Sequence, residues 1–250
     1  MQHIKAIGFD LFDTLITVRS LGLREAMGRL MHSLEEQGFA VPEDTFVPVY
    51  REAVAHFRDT VQQEGRETHN RFWISAALQR LGYAVLPDDR RIALAVEAYF
   101  SAFLDHATLL PDTCETLAQL QRRYHLGLLS NFTHAPAAKA ILDRLGLTPY
   151  LGVTLISGEL GYRKPHWRVF DELERRFGVP KQQIAFIGDD VEADVLGARQ
   201  AGMQPIWTTY ARAHKPLAHH HTAVQPGNDV DTSVPMIASW HDLLTLLTTV

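Results

Sequence analysis

The stretch Ile4-Lys5-Ala6-Ile7-Gly8-Phe9-Asp10-Leu11-Phe12-Asp13-Thr14-Leu15 decides how the rest of the chain is read. Ile4 to Phe9 reads as a short buried strand, and two carboxylates and a hydroxyl follow it at once. A buried strand that runs into an aspartate packs badly unless its carboxyl end opens into a site. Ligands of open α/β sheets bind at that end. The competing reading is a surface turn after an edge strand, with Asp13-Thr14 capping the next helix.

Bulk composition narrows the class. A chain of 250 residues with 46% hydrophobic content fits one large domain, or a core plus a smaller unit. A formal net charge of −5 gives no basic footprint for nucleic acid. The single cysteine, Cys114, excludes an intrachain disulfide and suits a reducing compartment. With no apolar run near the ~20 residues of a membrane span and no leader-like start, a soluble cytoplasmic protein is expected, monomer or homodimer. His219-His220-His221 lie among Pro216, Pro226 and Gly227, which favours an exposed loop over a metal site.

Outward from the first strand, the periodicity changes twice. Leu23, Ala26, Met27, Leu30, Met31 and Leu34 recur at helical spacing, with Gly38 as a stop. Phe46 to Val61 repeats the pattern up to Gly65, Phe72 to Leu81 closes at Gly82, and Pro87-Asp88-Asp89 opens a fourth helix. Four helices on short loops predict a helical bundle over residues 17–107. From Leu110 helices alternate with short apolar strands. The strands are 126–129, 153–156, 184–187 and 204–208, and the helices are 113–124, 136–145, 166–177 and 193–201. Residues 211–235 read as loop and 239–247 as a closing helix. That grammar predicts a parallel sheet covered on both faces. The first strand needs partners, so the fold expected is α/β: a Rossmann-like parallel sheet core over residues 1–16 and 108–250, with a helical-bundle cap inserted at 17–107.

Polar groups stand at four strand ends: Asp10, Ser130-Asn131, the loop to Lys164, and Asp189-Asp190 with Asp194. In a parallel sheet these ends converge on one side. Each has a plainer reading alone. Ser130-Asn131 and Asp189-Asp190 suit helix caps, and Lys164 suits a solvated surface. Together they make an ordered set of nucleophile, anion donors, cation and acidic cluster.

These motifs resemble the haloacid dehalogenase-like hydrolase superfamily. The resemblance rests on Phe9-Asp10-Leu11-Phe12-Asp13-Thr14-Leu15, Leu129-Ser130-Asn131, Lys164-Pro165, and Ile187-Gly188-Asp189-Asp190-Val191-Glu192-Ala193-Asp194 with Gly197-Ala198-Arg199. The helical insertion resembles the type 1 cap of that superfamily. The resemblance implies Asp10 as nucleophile and Mg²⁺ as cofactor, with the Phe12 backbone carbonyl as a ligand. Physical reasoning runs beside it. A carboxylate nucleophile splits phosphate ester hydrolysis into two displacements. A hard cation held by carboxylates and the phosphate lets two anions approach. Asp10 and Asp189 are the expected metal ligands, with Asp190 and Asp194 in the outer shell or orienting Lys164. Lys164 offsets the carboxylate charge. Thr14, Ser130 and Asn131 are the expected holders of a small phosphorylated substrate.

One position departs from the pattern. Family phosphatases usually carry an aspartate two residues after the nucleophile, which protonates the leaving group, and here Phe12 stands there. General acid–base help is worth about 10²–10⁴-fold. Asp13 is one residue further on, where the side-chain direction reverses in extended chain, so its acid–base role stays open. Dehalogenases of the superfamily resemble this chain at Phe12, since halide leaves without a proton, but they lack the metal-binding carboxylate matched here by Asp189. Three readings follow. A Mg²⁺-dependent phosphatase leads. A metal-free 2-haloacid dehalogenase-like hydrolase, using a cap arginine such as Arg51 or Arg58, is the first alternative. A weakly active or non-catalytic phosphate-ligand binding protein is the second. His56, Trp73 and Tyr99 are candidates to face the cleft, and hinges are expected at 16–19 and 107–110.

Overall fold

A computed structural model describes residues 3–214 and 233–248. Its centre is β1 (Ala6–Phe9). Along the chain follow β2 (Ile16–Val18), α1 (Ser20–Glu36), α2 (Glu43–Glu64), α3 (Asn70–Arg80), α4 (Arg90–His106) and β3 (Ala107–Leu109). Next come α5 (Thr113–Leu120), β4 (His125–Ser130), α6 (Ala135–Arg144), β5 (Val153–Ile156), α7 (Ser157–Leu160), α8 (Trp167–Phe177) and β6 (Ile184–Gly188). A π-helical turn (Val191–Leu196) runs into α9 (Gly197–Gln200), and β7 (Gln204–Thr208), α10 (Tyr210–His214), β8 (Met236–Ile237) and α11 (Trp240–Thr248) complete the order.

Six strands form one sheet in the order β5-β4-β1-β6-β7-β8, every pair parallel. The first strand therefore lies between two strands that follow it by more than a hundred residues, which is the Rossmann-like α/β core read from the sequence. Side chains alternate across the sheet, as a period of two requires. Ile7, Phe9, Leu126, Leu128, Ala185, Ile187 and Ile206 face the side covered by α5, α6 and α11. Ala6, Leu129, Leu155, Ile184 and Phe186 face α8 and α9, where Val169, Phe170, Leu173 and Ala198 meet them. Both faces are buried, so the strands are apolar throughout rather than alternating.

Register positions the site. Phe9 pairs with Leu128 on one side and Ile187 on the other. Asp10, Ser130 and Asp189, one or two residues further on, thus emerge at one edge of the sheet. The sheet order reverses at β1: β4 and β5 lie to one side, β6 to the other. That is where open α/β sheets bind ligands.

The four helices α1–α4 start and stop near the residues that periodicity indicated. The side chains of His69 and Asp89 cap α3 and α4 by accepting from the N–H groups of Arg71 and Arg91. Leu30, Leu34, Phe46, Ile74, Leu78, Ile92 and Val96 make the interior of this layer, continuous with the α5/α6 side of the sheet. The expected hinge segments pair with each other, which no periodicity in the sequence indicates. Ile16, Thr17 and Val18 lie antiparallel to Leu109, Thr108 and Ala107 as a two-stranded ribbon.

Four local expectations change. The helix expected at 113–124 ends at Leu120. The one expected at 193–201 begins as a π turn, because Asp190 caps it two residues earlier. The loop expected from 211 is helical to His214, and a short eighth strand pairs with β7 just beyond it. His219–His221 lie outside the described residues.

Phe170 is fully buried, with its ring edge-on to Phe186 at 5.5 Å. Phe170→Ala is expected to lower unfolding stability by about 3–5 kcal/mol, read as a shift in the urea midpoint at unchanged m-value.

Candidate active site

Asp10 is the first residue past β1, and its N–H donates to the Ile187 carbonyl, which extends the ladder one step and fixes its direction. Lys164, only 3% exposed, reaches the same place from the loop before α8. Its Nζ lies 2.7 Å from Asp10 Oδ1 and 2.7 Å from Asp194 Oδ1, and 5.1 Å from the Phe186 ring centre. A buried ammonium needs such partners, since burial alone costs several kcal/mol.

Asp189 completes the cluster. One carboxylate oxygen each from Asp10, Asp189 and Asp194 lie within 4.8 Å of one another. Three carboxylates share the cluster with one ammonium, which touches only Asp10 and Asp194, and the imbalance shows in every member. Burial lifts Asp189 well above the usual carboxylate range, and Asp194, Asp10, Asp13 and Asp190 push it further. Burial also raises Asp10 and Asp194, with Lys164 offsetting part of it. Burial pulls the Lys164 ammonium down, but Asp10 and Asp194 outweigh that and hold it above the ordinary lysine value. A group of carboxylates this short of positive charge is chemically suited to a hard divalent cation.

Backbone geometry holds the acidic groups in place. The Asp190 N–H donates to Asp194 Oδ2 at 3.0 Å. The Trp207 indole donates to the Asp189 carbonyl at 3.1 Å. A side chain at Gly188 would overlap the Asp194 carboxylate, so that carboxylate sits where only glycine leaves room. Asp190 itself does not join the cluster. Its Oδ1 accepts from the Glu192 and Ala193 N–H groups at 2.9 Å each, the helix cap that was its plainer reading.

The remaining expected residues divide. Thr14 and Ser130 are wholly buried, and neither hydroxyl finds a hydrogen-bond partner among the described residues. An unmet buried hydroxyl costs about 1–3 kcal/mol, and an anion at the strand ends would satisfy both. The Asn131 side chain is committed elsewhere: its Nδ2 donates to the Lys164 carbonyl at 2.9 Å, and its Oδ1 accepts from the Lys164 N–H at 2.8 Å. It grips the lysine's backbone at both ends. Asp13 adopts φ +58° and accepts from Thr17 Oγ1 at 3.3 Å. Phe12 stacks on Phe132, ring centres 4.9 Å apart, and Phe132 meets Phe100 and Phe103 of α4 at 5.1 and 5.8 Å. Tyr99 packs on the same two α4 rings. Trp73 donates to Thr68 Oγ1 and is half-buried. Arg51, His56 and Arg58 are exposed on α2.

Sequence reasoning missed a strap. Residues 65–70, between α2 and α3, lie across both site loops. Gly65 and Glu67 exchange backbone hydrogen bonds with Arg163 and Gly161. Gly65 has φ +64°, and a Cβ there would meet the His166 ring at 2.6 Å, so a close approach and a left-handed backbone coincide. The Glu67 carboxylate, 2% exposed, accepts from Ser157 Oγ at 2.6 Å and faces Arg163 at 3.4 Å. Ser157 Oγ in turn accepts from the Phe132 N–H at 2.8 Å. Asn70 accepts from Thr133 Oγ1 at 2.5 Å. His69 takes the Arg71 N–H on Nδ1, so its proton is on Nε2, 3.2 Å from His134 Nδ1. His134 Nε2 lies 3.1 Å from Glu97. A lone glutamate between two loops carries no local signal, so this contact is visible only in three dimensions.

Comparison with known proteins shows the family. A family model described as a haloacid dehalogenase-like hydrolase matches residues 4–202. The chain is 30% identical over 206 residues to the ribulose-1,5-bisphosphate 5-phosphatase of Halopiger xanaduensis, covering 80% of this chain and 83% of that one. It is 29% identical over 201 residues to the glyceraldehyde 3-phosphate phosphatase of Methanopyrus kandleri, covering 80% and 82%. Among solved structures, a 2-haloacid dehalogenase from Pseudomonas syringae superposes with a TM-score of 0.69 at 26% identity, covering 98% of each chain. No helix among the described residues is long and apolar enough to cross a membrane.

Burial, His134 and Arg71 depress His69 to about 4 from an ordinary value of 6.5. The unfolded chain therefore binds a proton at higher pH than the folded one, and stability falls as pH drops from about 6.5 to about 4. His69→Gln is expected to remove that part of the slope, measured as urea midpoint against pH.

Proposed function

The chain belongs to the haloacid dehalogenase-like hydrolases, and from that premise we propose a Mg²⁺-dependent phosphatase that hydrolyses a small organic phosphomonoester through an aspartyl phosphate at Asp10. The observation that carries this reading is the buried carboxylate set around Lys164, too negative for its one ammonium. The phosphatase names of the relatives support it.

Asp10 and Asp189, with the Phe12 backbone carbonyl, would hold Mg²⁺; Asp194 would stay with Lys164, and Asp190 would act only through the helix it caps. Bound there, the ion would supply the positive charge that lets carboxylate approach phosphate. The chain's own groups do the rest. Lys164 offsets the Asp10 charge and steadies the incoming anion. Thr14 and Ser130 turn their unmet hydroxyls toward the phosphoryl oxygens, joined by the Asn131 backbone. The Asn131 side chain keeps Lys164 aligned. Helices α1–α4 would act as the cap, over residues 17–107, with the core at 1–16 and 108–250. When docked, they exclude water. The single cysteine suits a reducing compartment, and we place the enzyme in the cytoplasm.

The Phe12–Phe132 stack and the likeness to a 2-haloacid dehalogenase favour a second reading, metal-free halide displacement by Asp10. Asp189 and its neighbours oppose it, because that reaction gives them nothing to bind.

Asp10→Asn is expected to abolish Mg²⁺-dependent turnover of p-nitrophenyl phosphate. Metal-independent halide release from a 2-haloacid, with no ester turnover, would replace this reading by the second. Gly188→Ala keeps every carboxylate but drives Asp194 out of its niche. Weaker Mg²⁺ binding by titration calorimetry, with an unchanged circular dichroism spectrum, is the expected result.

A further inference from the structure

Resting on the phosphatase reading, we infer that this site is built for esters whose leaving group departs without a proton: phosphates of acidic hydroxyls, aryl or enol, with a flat apolar body. The inference starts from what surrounds the leaving oxygen. In an in-line displacement that oxygen lies opposite Asp10, away from the sheet edge. The residue reaching in that direction from the nucleophile's own turn is Phe12. It continues through Phe132 into Phe100 and Phe103, ring on ring at 4.9, 5.1 and 5.8 Å, an aromatic wall in which buried Phe132 and Phe100 back the partly exposed Phe12 and Phe103.

The titratable groups near that wall have partners of their own. Asp13 takes a left-handed backbone and is held by Thr17 on β2. Lys164 lies between two carboxylates. His134 stacks behind Phe100 at 4.7 Å, with its nitrogens facing His69 and Glu97. The balance of the reaction then follows. An Asp10 oxygen forms a bond to phosphorus while the bond from phosphorus to the leaving oxygen breaks. The electron pair stays on that oxygen, which departs as an aryloxide or enolate and takes its proton from solvent. Water next attacks phosphorus, frees the Asp10 carboxylate, and gives its proton to solvent. An alkoxide leaving group is too basic to go this way at a useful rate. A flat aromatic anion is both acidic enough and shaped to stack on the wall.

The test is kcat/KM with Mg²⁺ across p-nitrophenyl, phenyl and 1-naphthyl phosphate and glycerol 3-phosphate, plotted against leaving-group pKa. The expected result is a steep decline, with the alkyl ester about 10²–10⁴-fold below the nitrophenyl ester. Phe12→Asp should supply the missing acid, flatten the line and add an alkaline limb to the pH profile. Phe132→Ala, further from the nucleophile, should raise KM for 1-naphthyl phosphate more than for glycerol 3-phosphate while the line stays steep. Equal turnover of aryl and alkyl esters by the native enzyme overturns this inference and leaves the phosphatase reading standing. Hydrolysis of none of the four overturns both.

Discussion

A buried ammonium between two buried carboxylates is the constraint on which the molecule turns. Lys164 has no solvent to fall back on, so Asp10 and Asp194 must be in place whenever the chain is folded. Each partner comes from a different part of the sheet: Asp10 follows β1, Asp194 lies in the turn after β6, and Lys164 arrives after β5. The parallel register brings all three to one edge. Asn131 and Trp207, which touch no carboxylate of the cluster, fix its geometry through the backbones of Lys164 and Asp189. The remaining excess of negative charge makes the centre receptive to a cation and then to an anion.

Two families of chemistry meet in these residues. The acidic cluster suits a metal-assisted reaction on phosphate, and the aromatic wall suits a leaving group that needs no proton. In the proposed reaction they would act at opposite ends of the same displacement, one where charge enters and the other where it leaves. A phenylalanine in the nucleophile's turn is thus compatible with the carboxylates below it, provided the departing group is stable as an anion.

Much of this was legible in the sequence, for identifiable reasons. Strand ends show as apolar runs that break into Asp or Ser, so Asp10, Ser130 and Asp189 could be placed before any coordinates. Helical period and glycine stops marked α1 to α4. Asp190 was ambiguous, because a cap and an outer-shell carboxylate use the same residue at the same position, and backbone direction decides between them. The site role of Asn131 was readable as polarity but not as a two-point grip on a lysine backbone 33 residues away. The ribbon of β2 and β3 is three residues long on each side. Pairing that short leaves no periodic trace. Glu67 was silent for the same reason, since its partners are loops whose paths only the fold defines.

The ribbon carries a mechanical consequence. The chain leaves the sheet for the helical layer through β2 and returns through β3, and the two tethers are laced together over three residue pairs. Laced tethers resist splaying and twisting, so if the layer moved, bending about the ribbon's base would be its soft motion, like a door on a single hinge. The strap at 65–70 would be that door's latch, roughly fifty residues on from β2 and forty before β3. Glu67 in the latch reaches Phe132 through Ser157 and the Lys164 loop through Arg163. An outward swing of the layer would therefore unfasten both loops in the same movement, so that opening the site to water and loosening its side chains would be one event rather than two.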